Sequence, residues 1–116
     1  MTITRLQPGK RMSQAVKHGN TVYLAGQVAA DPNGTIEKQT GEVLAAIDKL
    51  LAEAGTSKSK VLTCQVILNN IGDFAAMNTV YDAWIDPANP PARACIEARL
   101  AAPALKVEII AVAALD

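Results

Sequence analysis

The chain has 116 residues, the size of one ordinary domain. Half of the residues are apolar and 19% are charged, which argues for a folded core and against disorder. Eleven Lys and Arg balance eleven Asp and Glu, so the long-range field that a general nucleic-acid or membrane-surface binder uses to gather its partner is absent, although a local patch stays open. The longest runs free of Asp, Glu, Lys and Arg are His18–Ala30 and Val61–Gly72, 13 and 12 residues, short of the ~20 a membrane helix needs. Met1-Thr2-Ile3-Thr4-Arg5 has no apolar stretch of signal-peptide kind. A soluble cytoplasmic protein, one domain over 1–116, is the expectation.

Taken in chain order, Thr2–Leu6 is a possible first strand, and Met12–Lys17 pairs through the Gly19-Asn20 turn with a strand over Thr21–Ala29. Asp31-Pro32-Asn33-Gly34 stops that strand. Val43, Ile47, Leu50, Leu51 and Ala54 follow one face of a helix, with Gly55 where a C-terminal cap belongs. Its start falls between Glu37 and Glu42, blurred by Gly41, a poor interior residue. Val61–Asn69 reads as a strand with Leu62, Cys64, Val66 and Leu68 on its cleaner apolar face. Asp73 offers an N-cap to a second helix, whose stripe of Phe74, Met77, Tyr81 and Trp84 reads as core. Asp86-Pro87 and Pro90-Pro91 end it, and strands over Arg93–Leu100 and Leu105–Ala114 follow.

Helices separated by strands indicate an α+β fold, a mixed sheet with two helices on one face. On the last strand Leu105, Val107, Ile109, Ala111 and Ala113 line one side and Ile110, Val112 and Ala114 the other. A strand apolar on both sides is buried on both sides, and two helices cover only one face of the sheet. Another chain is therefore expected on the second face, making a homo-oligomer.

Two cysteines 31 positions apart and one histidine offer no metal, haem or cluster spacing, so no metal is expected. Cys64 is most simply a buried core thiol, and His18, beside Gly19-Asn20, a solvated turn residue. After Pro90-Pro91, alternation places Arg93, Cys95, Glu97 and Arg99 on one face and Ala94, Ile96, Ala98 and Leu100 on the other. The apolar set suits the helix-covered core, which sends the charged set to the second face. Glu108 shares a face with Ile110 and Val112, so Arg93 and Glu108 are both expected between subunits. A charge buried there needs a partner or a ligand. Two readings stay open: an interface salt bridge, or an Arg93 fork receiving a carboxylate while Glu108 handles a proton or water.

Several separated motifs, in order, resemble the Rid family of YjgF-like reactive-intermediate deaminases. Lys10-Arg11-Met12-Ser13-Gln14-Ala15-Val16, Gly19-Asn20 and Val22-Tyr23-Leu24-Ala25-Gly26-Gln27 resemble its opening. Asp73-Phe74, Met77-Asn78 and Tyr81 resemble its second helix, and Pro91-Ala92-Arg93, Cys95, Glu97 and Val107-Glu108-Ile109 its closing hairpin. The resemblance implies a chorismate-mutase-like trimer with clefts between subunits, converting 2-imino acids (or their enamines) to 2-keto acids and ammonia without a cofactor. It makes Arg93 the carboxylate-binding arginine and Glu108 the water-orienting glutamate, with Gly26, Cys95 and Asn78 lining the cleft. Met12 and Ala25 stand where the family usually carries a tyrosine and a serine, and each replacement removes a hydroxyl. Those departures leave room for an alternative, a non-catalytic trimer that binds or senses small carboxylate metabolites. An RNA-directed activity is a third class; zero net charge, four aromatics and a single histidine argue against a nucleic-acid partner.

Overall fold

In the computed structural model, which describes residues 1–116, β1 (Ile3–Pro8) and β2 (Ser13–His18) form an antiparallel hairpin. Gly19 takes a left-handed φ of 60° and turns the chain into β3 (Thr21–Leu24). The expected strand over Thr21–Ala29 is broken in two. β3 pairs Tyr23 with Val112, whereas β4 (Gln27–Val28) pairs Gln27 with Ile109, so four steps on one strand face three on the other. The extra residue falls at Ala25–Gly26, and a bulge of this kind re-aims the side chains around it.

α1 (Ile36–Ala54) begins before the expected boundary because the Thr35 hydroxyl accepts from the Lys38 N–H at 3.2 Å and caps the first turn. Gly55, at φ 92°, closes it: the Gly55 and Thr56 N–H groups donate to the carbonyls of Ala52 and Leu51. Gly41 lies inside this helix, and a Cβ placed there would meet no atom within 4 Å. Gly41→Ala should therefore raise the unfolding free energy by about 0.5–1 kcal/mol, readable as a higher urea midpoint at unchanged slope. The fully buried amide of Gln39 ties two loops to α1, donating to the carbonyls of Pro32, Gly34 and Ala104 and accepting from the Lys106 N–H.

β5 (Val61–Leu68) corrects one expected face. A register shift between Val61 and Thr63 turns Val61 inward and leaves Leu62 49% exposed, while Cys64, Val66 and Leu68 stay buried. No glycine or proline marks that bulge in the sequence. α2 (Phe74–Trp84) also starts differently from expectation, since Asp73 makes no capping bond with its side chain. A 3-10 turn over Ile71–Asp73 precedes it, with Asn70 Oδ1 accepting from the Gly72 N–H and Glu97 Oε1 from the Ile71 N–H. Of the stripe read as core, Met77 and Tyr81 are buried, Trp84 is half-buried with its Nε1–H donating to Asp48, and Phe74 is exposed.

β6 (Ala92–Glu97) runs parallel to β5 at the sheet edge, and β7 (Val107–Ala114) inserts antiparallel between β5 and β3. The order is β1-β2-β3-β7-β5-β6, with β4 also paired to β7. This is the expected α+β architecture. Val107, Ile109, Ala111 and Ala113 are buried with Val22, Val66, Ile47 and Leu51, between the sheet and the helices. The opposite face carries Val16, Tyr23, Ile67, Ile96, Ile110 and Val112, none of them buried and no element of the chain packed over them. No helix is long and apolar enough to cross a membrane.

Candidate functional site

The residues singled out from the sequence form two groups on one chain. The first lies on the uncovered face around Glu108, where β4, β7 and the end of β3 meet. Glu108 alternates with the buried Val107 and Ile109, so the pleat turns its side chain to the open side, half-buried. Its carboxylate lies against Gly26: a Cβ built there would overlap it, with the Glu108 Cδ only 2.9 Å away. The glycine is therefore a seat for the carboxylate. Its φ lies outside the left-handed region, so the backbone itself accepts alanine. Gly26→Ala should leave the melting temperature nearly unchanged yet displace the Glu108 carboxylate by about 1 Å, which a crystal structure of the variant would read directly.

Ala25 adjoins Gly26 in the bulge, its N–H donating to the Gln14 carbonyl at 2.8 Å. The Gln27 amide donates to Gln14 Oε1 and to the Ala25 carbonyl, tying β2 to this corner. Met12, 50% exposed, precedes β2 at the same end. Met12 also lines a wide recess of about 570 Å³ formed by the β1–β2 turn with Gln7, Gly9, Lys10, Arg11 and Gln14. That recess touches neither Arg93 nor Glu108, and its size does not make it the site.

The second group lies at the β6 edge beneath α2. Arg93 pairs in parallel register with Cys64, and Cys95 with Val66, so the Arg93–Cys95–Glu97 side faces the helices. This corrects the sequence-based assignment of that charged set to the open face; Ala94 and Ile96 point there instead, Ile96 44% exposed. Alternation separates two faces but does not say which is covered, and the open face of this sheet is as apolar as the core.

Arg93 Nη1 donates to Asn78 Oδ1 at 2.8 Å. The guanidinium carbon stands over the Tyr81 ring at 4.7 Å from its centroid and over Phe74 at 5.8 Å. The one ion pair in the chain is Lys38–Asp31, so Arg93 has no carboxylate partner. With Nη1 occupied, the edge formed by Nε–H and Nη2–H is free, and that edge matches a carboxylate bidentately. Asn78 is thus a partner of Arg93 itself. A recess of about 370 Å³ at the β5–β6 edge is lined by Cys64 and Arg93 together with Thr63, Gln65, Ala92 and Ala94, which belong to the open side of the sheet. Burial pushes the thiols of Cys64 and Cys95 above the usual range, Arg93 offsetting this only in part, so neither is poised as a thiolate. The Tyr81 hydroxyl is pushed up to about 12, mainly by burial and next by the neighbouring Cys64.

The two groups do not meet within one chain. Glu108 and Arg93 project from opposite faces of the sheet. Comparison with known proteins shows the family to which a chain of this fold belongs. The Endoribonuclease L-PSP family model matches residues 2–115. A RutC family protein of Haemophilus influenzae is 48% identical over 117 residues, covering 97% of this chain and 98% of the relative. A YjgF-family crystal structure from Neisseria meningitidis superposes at TM-score 0.97 with 42% identity, covering 100% of this chain and 97% of that one. A Rid-family protein from Yersinia pestis reaches TM-score 0.84 at 30% identity, over 92% of this chain and 90% of that one.

The chain belongs to the YjgF/RutC/Rid family. Membership accords with a role in small-molecule metabolism and places the chain in the fold expected from its motifs. Within this Rid-family chain, sequence reasoning named Arg93, Asn78, Cys95, Gly26 and Glu108 but missed Tyr81 and Phe74 as their neighbours. Both were read as core stripe. The signal available was the spacing of Phe74, Asn78 and Tyr81, i, i+4 and i+7 along one side of α2.

Proposed function

We propose that this protein is a hydrolytic deaminase of reactive 2-imino acids, acting as a homotrimer with no cofactor. The observation that carries the reading is the free Nε–Nη2 edge of Arg93, an arginine without a carboxylate partner beside a recess. In this scheme the edge binds the substrate carboxylate and draws electron density from the adjacent imine carbon. Glu108 holds a water within about 3 Å of that carbon and takes its proton as the C–O bond forms. Collapse of the adduct breaks the C–N bond, so one imino acid and one water give one 2-keto acid and one ammonia. Enamines enter after tautomerising to the imine.

Opposite faces on one chain support a site between chains. The open apolar face with Gly26 and Glu108 would receive the β6–α2 edge of a neighbour, bringing that neighbour's Arg93, Asn78 and Cys95 to Glu108. Burial of Tyr23, Ile96, Ile110 and Val112 would drive the contact. Light scattering at micromolar concentration should return three times the 12.2 kDa chain mass, and a monomer would remove the inter-subunit site.

The activity test generates imines with an amino-acid oxidase, traps them with semicarbazide and measures whether the protein lowers the trapped fraction across a panel of amino acids. Catalysis should survive EDTA and dialysis. No effect on any imine, with a 2-keto acid still bound, would favour the second reading, a trimeric binder of small carboxylates; Met12 and Ala25, which stand where the family usually carries hydroxyl residues, are the residues that favour it. The RNA cleavage in the family model's name is not carried over, because the net charge is zero and the single imidazole, His18, lies exposed at the end of β2.

A further inference from the structure

Arg93 is the terminal cation of an exposed edge strand, and such a side chain ordinarily samples many rotamers. Here α2 constrains it. Phe74, Asn78 and Tyr81 recur at i, i+4 and i+7, so all three lie along one side of the helix facing β6. Asn78 is half-buried and fixes Nη1 at 2.8 Å, while Tyr81 presents its ring at 4.7 Å from the guanidinium carbon. Tyr81 is itself buried in the core cluster that also holds Cys64, the β5 residue that pairs with Arg93. Backbone register, ring and amide thus converge on one cation: β5 through its pairing with β6, and α2 through Tyr81 and Asn78.

We infer that Tyr81 is a positioning residue, whose ring face holds the Arg93 guanidinium, with Asn78, so that its Nε–Nη2 edge is presented to a carboxylate. This rests on the reading of Arg93 as the carboxylate anchor. The choice of an aromatic face and a neutral amide has a chemical consequence. A carboxylate holding Arg93 would cancel the charge that the ligand needs, whereas a ring face orients the cation and leaves its charge available. The ring face, and not the hydroxyl, does the holding. Ring removal should therefore cost more than hydroxyl removal.

The first arm of the test needs no substrate. In nitrogen-15-labelled protein, the Arg93 Nε–Hε cross-peak, assigned by its loss in Arg93→Lys, should be displaced by the tyrosine ring current. Tyr81→Leu should return it towards the position of free arginine, and Tyr81→Phe should keep it displaced. An unmoved peak in Tyr81→Leu overturns the inference. Tyr81→Met, which keeps the buried volume without a ring, takes its place if the leucine variant does not fold.

The second arm titrates pyruvate into each folded variant. Tyr81→Leu should weaken binding about tenfold, within the range of a partly desolvated cation–π contact, and Tyr81→Phe should restore most of it. In an Arg93→Ala background the leucine change should add nothing further. A loss that adds in full to that of Arg93→Ala, or an equal loss in the phenylalanine variant, overturns the positioning role. Should the parent neither bind pyruvate nor hydrolyse any imine, the carboxylate-anchor reading falls, and the cross-peak arm alone decides whether Tyr81 positions Arg93.

Discussion

Arg93→Ala should abolish most 2-keto acid binding and most imine hydrolysis while leaving a folded protein of unchanged oligomeric state. The side chain is exposed at the β6 edge and makes one hydrogen bond, to Asn78, so its loss leaves no buried charge behind. What disappears is a charge-assisted bidentate pair with the ligand, about 1.5–3 kcal/mol, or roughly ten- to a hundredfold in affinity. Because the same pair orients the imine carbon, turnover should fall with affinity. Arg93→Lys should rescue poorly: an ammonium is a point charge, cannot offer two parallel donors, and stacks less well on Tyr81. Calorimetric titration of a stable 2-keto acid, run beside the trapping assay and light scattering, reads all three quantities. If the side chain instead formed an interface salt bridge, Arg93→Ala would dissociate the oligomer. Unchanged binding and hydrolysis would remove Arg93 from the site altogether.

How much of this was legible in the sequence depends on what each residue signals locally. The α1 stripe Val43, Ile47, Leu50 and Leu51 has a period only a helix satisfies, and Gly55 ends it where the left-handed cap forms. β7 announces its own depth, since residues on both of its sides are apolar and one side is buried by the chain. The faces of β6 were not legible. Ala94 and Ile96 are apolar and Arg93 and Glu97 are charged, so the ordinary rule sends the first pair inward, yet the sheet places them outward. The rule presumes one apolar environment per sheet, and this sheet has two. Glu97 is tolerated on the helix side because it caps the turn into α2, and Arg93 because an amide and two rings receive it.

The reason for Gly26 was likewise hidden. Nothing in Leu24-Ala25-Gly26-Gln27 says that a carboxylate from a strand 82 positions away will rest on it. Motif resemblance pointed to the glycine, and the structure supplies the steric cause. Tyr81 shows the converse. A buried aromatic at helical spacing is core by default, and Tyr81 is core; only its distance to Arg93 adds a second task.

Glu108→Gln should separate binding from chemistry. Glutamine keeps the length and planarity of the side chain, and it fits the same seat against Gly26, where a bulkier group would not. Its amide still accepts one hydrogen bond and can hold a water, but it cannot take the proton that attack releases. Removing a positioned general base typically costs about 10²–10⁴-fold in rate. The dissociation constant for a 2-keto acid should stay within a few-fold of the parent, since in this mechanism the carboxylate is bound by Arg93 and not by Glu108. A fall in kcat with little change in ligand affinity is the signature of an interaction made in the transition state. Glu108→Ala is the control for space: it empties the seat against Gly26, and adding Gly26→Ala to it should then cost almost nothing, because the overlapping carboxylate is gone. Mixed trimers sharpen the argument. Neither Arg93→Ala nor Glu108→Gln alone leaves a working site, but if each cleft draws its arginine and its glutamate from different chains, co-assembling the two variants restores one intact cleft in every trimer that contains both. Recovery of about a quarter of the parental rate from an equal mixture supports the shared site, on the statistics of random assembly with independent clefts. No recovery from mixtures shown by mass spectrometry to be mixed would place both residues in a single chain's site, against the opposite-face geometry.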